Sequence, residues 1–294
     1  MKFKLMKKKI KWLIVFCIIA LVVTGVFIYK NPHYIYIFGE YIGVNSDEIA
    51  LTPTQPTNTT QFTLDELKTN DKVTFDQSLM LINTDHPLPD NYSPELSPYK
   101  DSGLQMNTAV HSAYEELVKA IESKTKSRLF ISSAYRTQQE QENEFEADTS
   151  TATRPGASEH QSGLALDVYV QYYAGFGFIK TEAGQFVNSN CWEYGFIIRY
   201  PSFGKETTGI KYEPWHIRYV GMPHAKIIYN NHITLEEYVF SLENGVWYEV
   251  DGYLISRQKL SSNNTLNIIE NSSNIVISPD NTGSYIITLI NDMN

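Results

Sequence analysis

Two short stretches hold residue types that do chemistry together. "SEHQSGLALD" (158–167) carries His160 and Asp167, seven positions apart, and "EPWHIRY" (213–219) carries Glu213 and His216. Asp167 sits inside an apolar run, "LALDV", where a carboxylate is costly to bury unless something positive meets it. Two imidazoles and one carboxylate make a three-ligand set with an open fourth position, the donor set of a catalytic zinc site. A Zn2+ ion on His160, Asp167 and His216 answers the charge on Asp167 and lets water ionise near neutral pH. Glu213 is then left over as a general base. The plainer alternative pairs Asp167 with an arginine, for which Arg136, Arg199 and Arg218 are available. No H-E-x-x-H occurs, and Pro214 pushes Glu213 into extended backbone, so "EPWH" is not the helical metalloprotease signature. His86, His111, His224 and His232 read as surface or core histidines, with His224 in "GMPHAK" the one to follow.

Such residues need a scaffold. Met106, Val110, Ala113, Tyr114, Leu117, Val118 and Ile121 recur at spacings of three and four, which predicts a helix over 105–125. "RLFISS" (128–133) reads as a buried strand, and "AYRTQQEQENEFE" as a turn into a polar helix. "TRPGASEHQSG" is loop by its Pro, Gly and Ser content. In "LALDVYV", Leu164, Leu166, Val168 and Val170 face one way and Ala165, Asp167 and Tyr169 the other. His216, Arg218 and Val220 alternate likewise, so His216 projects from a strand and shares a sheet face with Asp167. A helix around 182–194 leads to the strand "GFIIRYP", "TGIKYEPWHIRYVG" reads as strand–turn–strand, and "TLEEYVFSLE" as a closing helix capped by Thr234. "VWYEVDGYLISRQKL" and "NIVISPDNTGSYIITLI" are short β runs separated by turn residues, a small β appendage over 246–294.

The N-terminus has a different character. "MKFKLMKKKIK" holds six lysines and no acid, and Trp12–Tyr29 is an 18-residue run without charge, about 27 Å as a helix. The lysines place the tail in the cytoplasm and the rest outside. A signal peptide is the alternative, but no A-x-A site follows, which favours an uncleaved anchor over residues 1–30. Residues 31–74 divide into an aromatic, membrane-proximal part and a Thr/Pro/Asn-rich run, "LTPTQPTNTTQ", that reads as an extended stalk. Residues 1–30 hold seven lysines, so the remainder carries 17 basic against 33 acidic residues, a net charge of −16. That excludes nucleic acid as the main partner. Cys17 lies in the apolar run and Cys191 in "NSNCWEYGF", so no disulfide framework is expected.

"SSAYRT", "PGASEHQSGLALDV", "YGFIIRYP", "KETTGIKYEPWHIRYVG" and "LEEY" together resemble the zinc D-alanyl-D-alanine carboxypeptidases of the VanY type, found with vancomycin-resistance clusters in Gram-positive bacteria. The match runs in order over roughly residues 75–245, and five linked blocks are more specific than either metal motif alone. The resemblance implies an α+β fold, a central antiparallel sheet with helices packed on one side, shared with hedgehog-like zinc proteins. It implies His160, Asp167 and His216 as zinc ligands and Glu213 as catalytic base. Arg136 stands where the family arginine meets the substrate oxyanion or terminal carboxylate, and Ser158 matches a substrate-contacting serine. The implied protein is a membrane-anchored carboxypeptidase, its catalytic domain extracellular, that trims the last D-Ala from peptidoglycan pentapeptides and contributes to glycopeptide resistance. The acidic segment from Gln138 to Arg154 departs from the longer insert of L,D-carboxypeptidase relatives, and no substrate contact carries over there.

Three rivals stand beside this reading. One is L,D-carboxypeptidase activity on wall tetrapeptides, which the same zinc core would serve. Another is a serine D,D-carboxypeptidase. S-x-x-K occurs four times, at Ser97, Ser123, Ser202 and Ser256, but S-D-N and K-T-G are absent. The third is a wall-binding module that kept the zinc fold without catalysis, against which the presence of Glu213 argues.

Overall fold

The computed structural model describes residues 2–44, 47–149, 152–270 and 272–290. These fall into two compact units that divide after Val44. The first holds a long helix, Lys2–Lys30, and a short one, His33–Tyr41. Within the long helix Lys9–Lys30 has a mean hydropathy of 2.7 over its most apolar window, long and apolar enough to cross a bilayer. Of the aromatic stretch 31–50, residues 45 and 46 lie outside the described residues.

The second unit is α+β, built around a four-stranded antiparallel sheet in the order Phe130–Ser133, Ala165–Tyr169, His216–Tyr219, Phe196–Ile198. Alternation decides its faces. Leu164, Leu166, Val168 and Val170 are buried and share one core cluster with Val110, Tyr114, Leu117 and Ile121 of the helix Val110–Thr125. Ala183 and Val187 of the helix Glu182–Asn190 join it, so both helices pack on the same face. Each of these larger side chains contributes about 1.5–3 kcal/mol by leaving water. The opposite positions carry the polar residues. Asp167 pairs directly with His216 across the two central strands, and Ala165 with Arg218. Directly paired residues lie on one face, so His216, Arg218 and Asp167 are brought together by register alone.

A second core joins Ile197 and Val220 to the helices His224–Asn230 and Leu235–Ser241 and to Tyr248, Val250, Ile255 and Ile286. Thr234 caps the latter helix, its hydroxyl accepting from the Glu237 amide while the Glu237 carboxylate accepts from the Thr234 amide.

Two local expectations give way. The run read as a stalk is strand in part: Thr52–Thr54 pairs antiparallel with residues 247–249, and Thr59–Thr63 with Thr265–Ile269. Val73–Phe75 adds a parallel strand beside Ile275–Ile277. The C-terminal β runs thus belong to a six-stranded and a two-stranded sheet completed by residues 52–75. The physical reason is the open edges of the C-terminal hairpins, which need a partner, and β-branched threonines serve well there. Residues 271 and 291–294 of that segment lie outside the described residues. The second departure is 208–221. Only His216–Tyr219 is strand, while 209–215 is irregular chain and turn that follows a short helix, Lys205–Thr208. Gly209, at φ +74°, terminates the helix, and Pro214 has no amide to give a ladder.

Candidate metal centre and catalytic site

His160 stands on a single 3-10 turn, Glu159–Ser162, that runs straight into the Ala165–Tyr169 strand. Gly163 makes the join at φ +71°, and a Cβ there would lie 2.8 Å from the Asn107 amide nitrogen. Only glycine fits both the left-handed backbone and that close approach. The His160 ring is 4 % exposed, and its Nδ1 donates to the Ala134 carbonyl at 2.8 Å. That bond leaves the Nε2 lone pair free, and Nε2 lies 3.2 Å from Asp167 Oδ2.

His216 opens its strand directly opposite Asp167, with Nδ1 2.9 Å from Asp167 Oδ1. The His160 and His216 rings meet edge to face at 5.0 Å, and the Tyr200 ring lies 5.0 Å from His216 on another side. One donor atom from each of His160, Asp167 and His216 lies within 4.8 Å of the others. Two imidazole nitrogens and one carboxylate oxygen, so gathered and largely buried, fit a divalent zinc-type cation.

The electrostatics follow from this crowding. Burial alone would raise the Asp167 pKa, but the two imidazoles of His160 and His216 against its carboxylate hold it far below the usual carboxylate range. Burial would lower His216, but the carboxylates of Asp167, Glu159 and Glu213 facing its ring push it up to about 10 in the metal-free protein. Glu213 Oε2 stands 3.9 Å from His216 Nδ1, and burial raises its pKa. The backbone holds it there: the Glu213 amide donates to Tyr200 O and the His216 amide to Glu213 O, a turn through Pro214.

Arg136 reaches the same place from the end of the Phe130–Ser133 strand. Its Nη2 is 3.9 Å from Asp167 Oδ2, its Nη1 donates to Gln141 Oε1 at 2.9 Å, and Nε and Nη2 both donate to Ser133 Oγ. Its amide donates to the His160 carbonyl. Ser158, 5 % exposed, occupies the N-cap of the turn that carries His160 and makes no side-chain capping bond. A cavity of about 280 Å³ lies alongside, its wall including Phe145, Arg154, Ala157, Ile210 and Tyr200, the ring beside His216. Residues 150 and 151 of the acidic segment before it lie outside the described residues.

The plainer arginine pairing fails for two of its three choices. Arg199 and Arg218 do not pair with Asp167; both are fully buried and hold Glu159. Sequence reading passed over Glu159. The signal was there in the two arginines, each in an apolar strand context ("FIIRY", "HIRYV"), where a buried guanidinium needs a buried acid. His224 is likewise buried, but between the Tyr238 and Thr288 hydroxyls, away from any carboxylate partner among its hydrogen bonds. Cys191 is a buried free thiol whose pKa burial pushes up, as a core residue.

Residues 103–222 match the family model described as VanY, D-alanyl-D-alanine carboxypeptidase. A D-alanyl-D-alanine carboxypeptidase of Enterococcus faecium is 36% identical over 202 residues, covering 64% of this chain and 63% of that protein. The chain therefore spans less than two thirds of that relative's length. The bifunctional D-Ala-D-Ala dipeptidase and D-Ala-D-Ala carboxypeptidase VanXYC of Enterococcus gallinarum is 38% identical over 178 residues, 55% of this chain and 93% of that protein. Among solved structures, the vancomycin resistance D,D-dipeptidase VanXYg, in complex with a D-Ala-D-Ala phosphinate analog, superposes with a TM-score of 0.61 at 26% identity. That match covers 79% of this chain and 98% of the other. The LD-carboxypeptidase LdcB superposes with a TM-score of 0.52 at 32% identity, over 59% of this chain and 92% of its own.

Proposed function

The chain belongs to the VanY family of D-alanyl-D-alanine carboxypeptidases, and from that premise we propose that it is a zinc carboxypeptidase releasing the C-terminal D-alanine of peptidoglycan pentapeptides. The observation that carries the reading is the gathering of His160, Asp167 and His216 within 4.8 Å, with Glu213 beside His216. His160 Nε2, the Asp167 carboxylate and His216 Nδ1 would hold the ion. When bound, zinc supplies a Lewis acid for the scissile carbonyl and its attacking water.

The chain's own groups supply the rest. Glu213, its pKa raised by burial, takes the proton of the attacking water. It then passes that proton to the departing amine, so that water adds across the peptide bond and free D-alanine leaves. Arg136, splayed between Ser133 and Gln141, presents a planar donor to the substrate's oxyanion or terminal carboxylate. Ser158, two residues before His160, is the second substrate contact. The two rings pack edge to face, and the bond from His160 Nδ1 to the Ala134 carbonyl fixes that ring with Nε2 toward Asp167.

Lys9–Lys30 serves as the anchor in this reading, with the lysine-rich tail inside and the catalytic unit on the outer face of the membrane. Its partners there are precursor and wall peptides ending in D-Ala-D-Ala. Removing that ending takes away the dipeptide that glycopeptide antibiotics bind, hence a contribution to vancomycin resistance. The likeness to LdcB favours a second reading, an L,D-carboxypeptidase acting on tetrapeptides. The test is D-alanine release from pentapeptide and tetrapeptide stems, with and without chelator, beside metal analysis. Chelator-sensitive release from the pentapeptide is the expected result. Release from the tetrapeptide alone replaces the proposal with the L,D reading, and an inert protein leaves a wall-binding module.

A further inference from the structure

Glu159 precedes His160 in the chain, yet its side chain points to the other histidine. The carboxylate is wholly buried. Its Oε1 accepts from Arg199 Nε at 2.7 Å and from Arg218 Nη1 at 2.5 Å. Each arginine is tied at its far side. Arg199 Nη1 donates to Glu236 Oε2 at 2.8 Å, on the Leu235–Ser241 helix, and Arg218 Nη2 donates to the carbonyls of Ser78 and Met80 at 2.9 and 2.8 Å. Two guanidiniums anchored on separate elements thus clamp one oxygen of Glu159.

The other oxygen is the informative one. Glu159 Oε2 is buried with no hydrogen-bond partner, and so is His216 Nε2; the two stand 3.7 Å apart. An orphaned acceptor facing an orphaned donor in a buried site is a bond waiting for a small ring movement, and such atoms are rarely left unmade in native interiors. Arg199 and Arg218 balance the two carboxylates Glu159 and Glu236, so the network is neutral without borrowing charge from His216.

We propose that Glu159 is a positioning residue: its Oε2 accepts from His216 Nε2–H, which aims the Nδ1 lone pair at the metal and strengthens it as a ligand. The proposal rests on the zinc reading above. His160 is oriented the same way by the neutral Ala134 carbonyl, so the two ligands differ in what stands behind them. A carboxylate behind a metal-bound imidazole raises its donor strength more than a carbonyl does, and loss of such a partner weakens metal binding by about 10–100-fold.

The alternative is that Glu159 merely neutralises two buried arginines. Competition with a chromophoric chelator on the full chain in detergent separates them, using the wild type, Glu159→Gln, Glu159→Asp and Glu236→Gln. Melting of the metal-free forms is followed in parallel. Glu159→Asp keeps the charge facing the arginines while withdrawing the oxygen from His216, so it carries the test if Glu159→Gln does not fold. Both Glu159 variants are expected to bind zinc about 10–100-fold more weakly. Glu236→Gln, which loosens the same arginine, should lower the melting temperature and keep wild-type zinc affinity. Wild-type affinity in the Glu159 variants, or an equal loss in Glu236→Gln, overturns the proposal. In the zinc-loaded wild type, a 15N-histidine spectrum should show a strongly deshielded proton on His216 Nε2; its lack also overturns it. A wild type that binds no zinc sinks the functional reading as well, whereas wild-type binding with unaffected Glu159 variants sinks this inference alone.

Discussion

Two histidines eight residues apart, His216 and His224, are equally buried, yet the regions around them treat them in opposite ways. His216 stands on the small sheet among Asp167, Glu159 and Glu213, and their company outweighs burial and pushes its pKa up to about 10. His224 starts the helix that packs toward the large sheet. Its Nδ1 meets the Tyr238 hydroxyl and its Nε2 the Thr288 hydroxyl at 3.0 Å, and burial pushes its pKa down to about 3. One region concentrates buried charge around an imidazole; the other buries an imidazole neutral and satisfied. Burial by itself therefore says nothing about function. The carboxylates facing the ring do, because only an excess of acceptors makes a place where a cation gains by entering.

That contrast can be broken most forcefully at the base. Glu213→Ala should lower turnover by about 10²–10⁴-fold while zinc content stays stoichiometric. Near-normal D-alanine release would remove Glu213 from its role and, with it, the claim that the small sheet's acids are there for chemistry. On the other side, His224→Leu should leave zinc binding and activity intact. Unfolding in urea should then show a loss of about 1–3 kcal/mol, since the Tyr238 and Thr288 hydroxyls lose their partner. A loss of activity without a loss of stability would mean that the second histidine is not a structural one.

The smallest effect is a pair of opposed pH slopes in the metal-free protein. An imidazole raised from its ordinary value of about 6.5 stabilises the fold fully below that value and loses its contribution as pH climbs through about 10, so the His216 region should weaken over that window. An imidazole lowered to about 3 contributes fully above about 6.5 and loses that contribution as pH falls, so the His224 region should weaken on acidification. Melting curves across pH should show both. Zinc should flatten the alkaline slope, because Nδ1 of His216 then needs no proton, and His224→Leu should flatten the acid one. An alkaline slope unchanged by zinc would separate His216 from the metal.

Local pattern was enough for much of this. The alternation in "LALDVYV" and "HIRYV", the three–four spacing over 110–121 and the turn residues of "PGASEHQSG" are written in adjacent residues, because a strand repeats every two and a helix every three to four. They put His160, Asp167, Glu213 and His216 on the right kinds of element, and Arg136 with them. Two things escaped that scale. The threonines of 52–63 look like linker until the hairpins beyond 246 offer their open edges, nearly 200 residues later. Glu159 looks like a surface acid until Arg199 from one segment and Arg218 and His216 from another close around it. Side-chain type and short spacing determine what a residue can do; which groups surround it, and hence whether a buried charge is balanced or left facing a ligand, is decided by contacts between segments far apart in the chain, and only the folded structure supplies those.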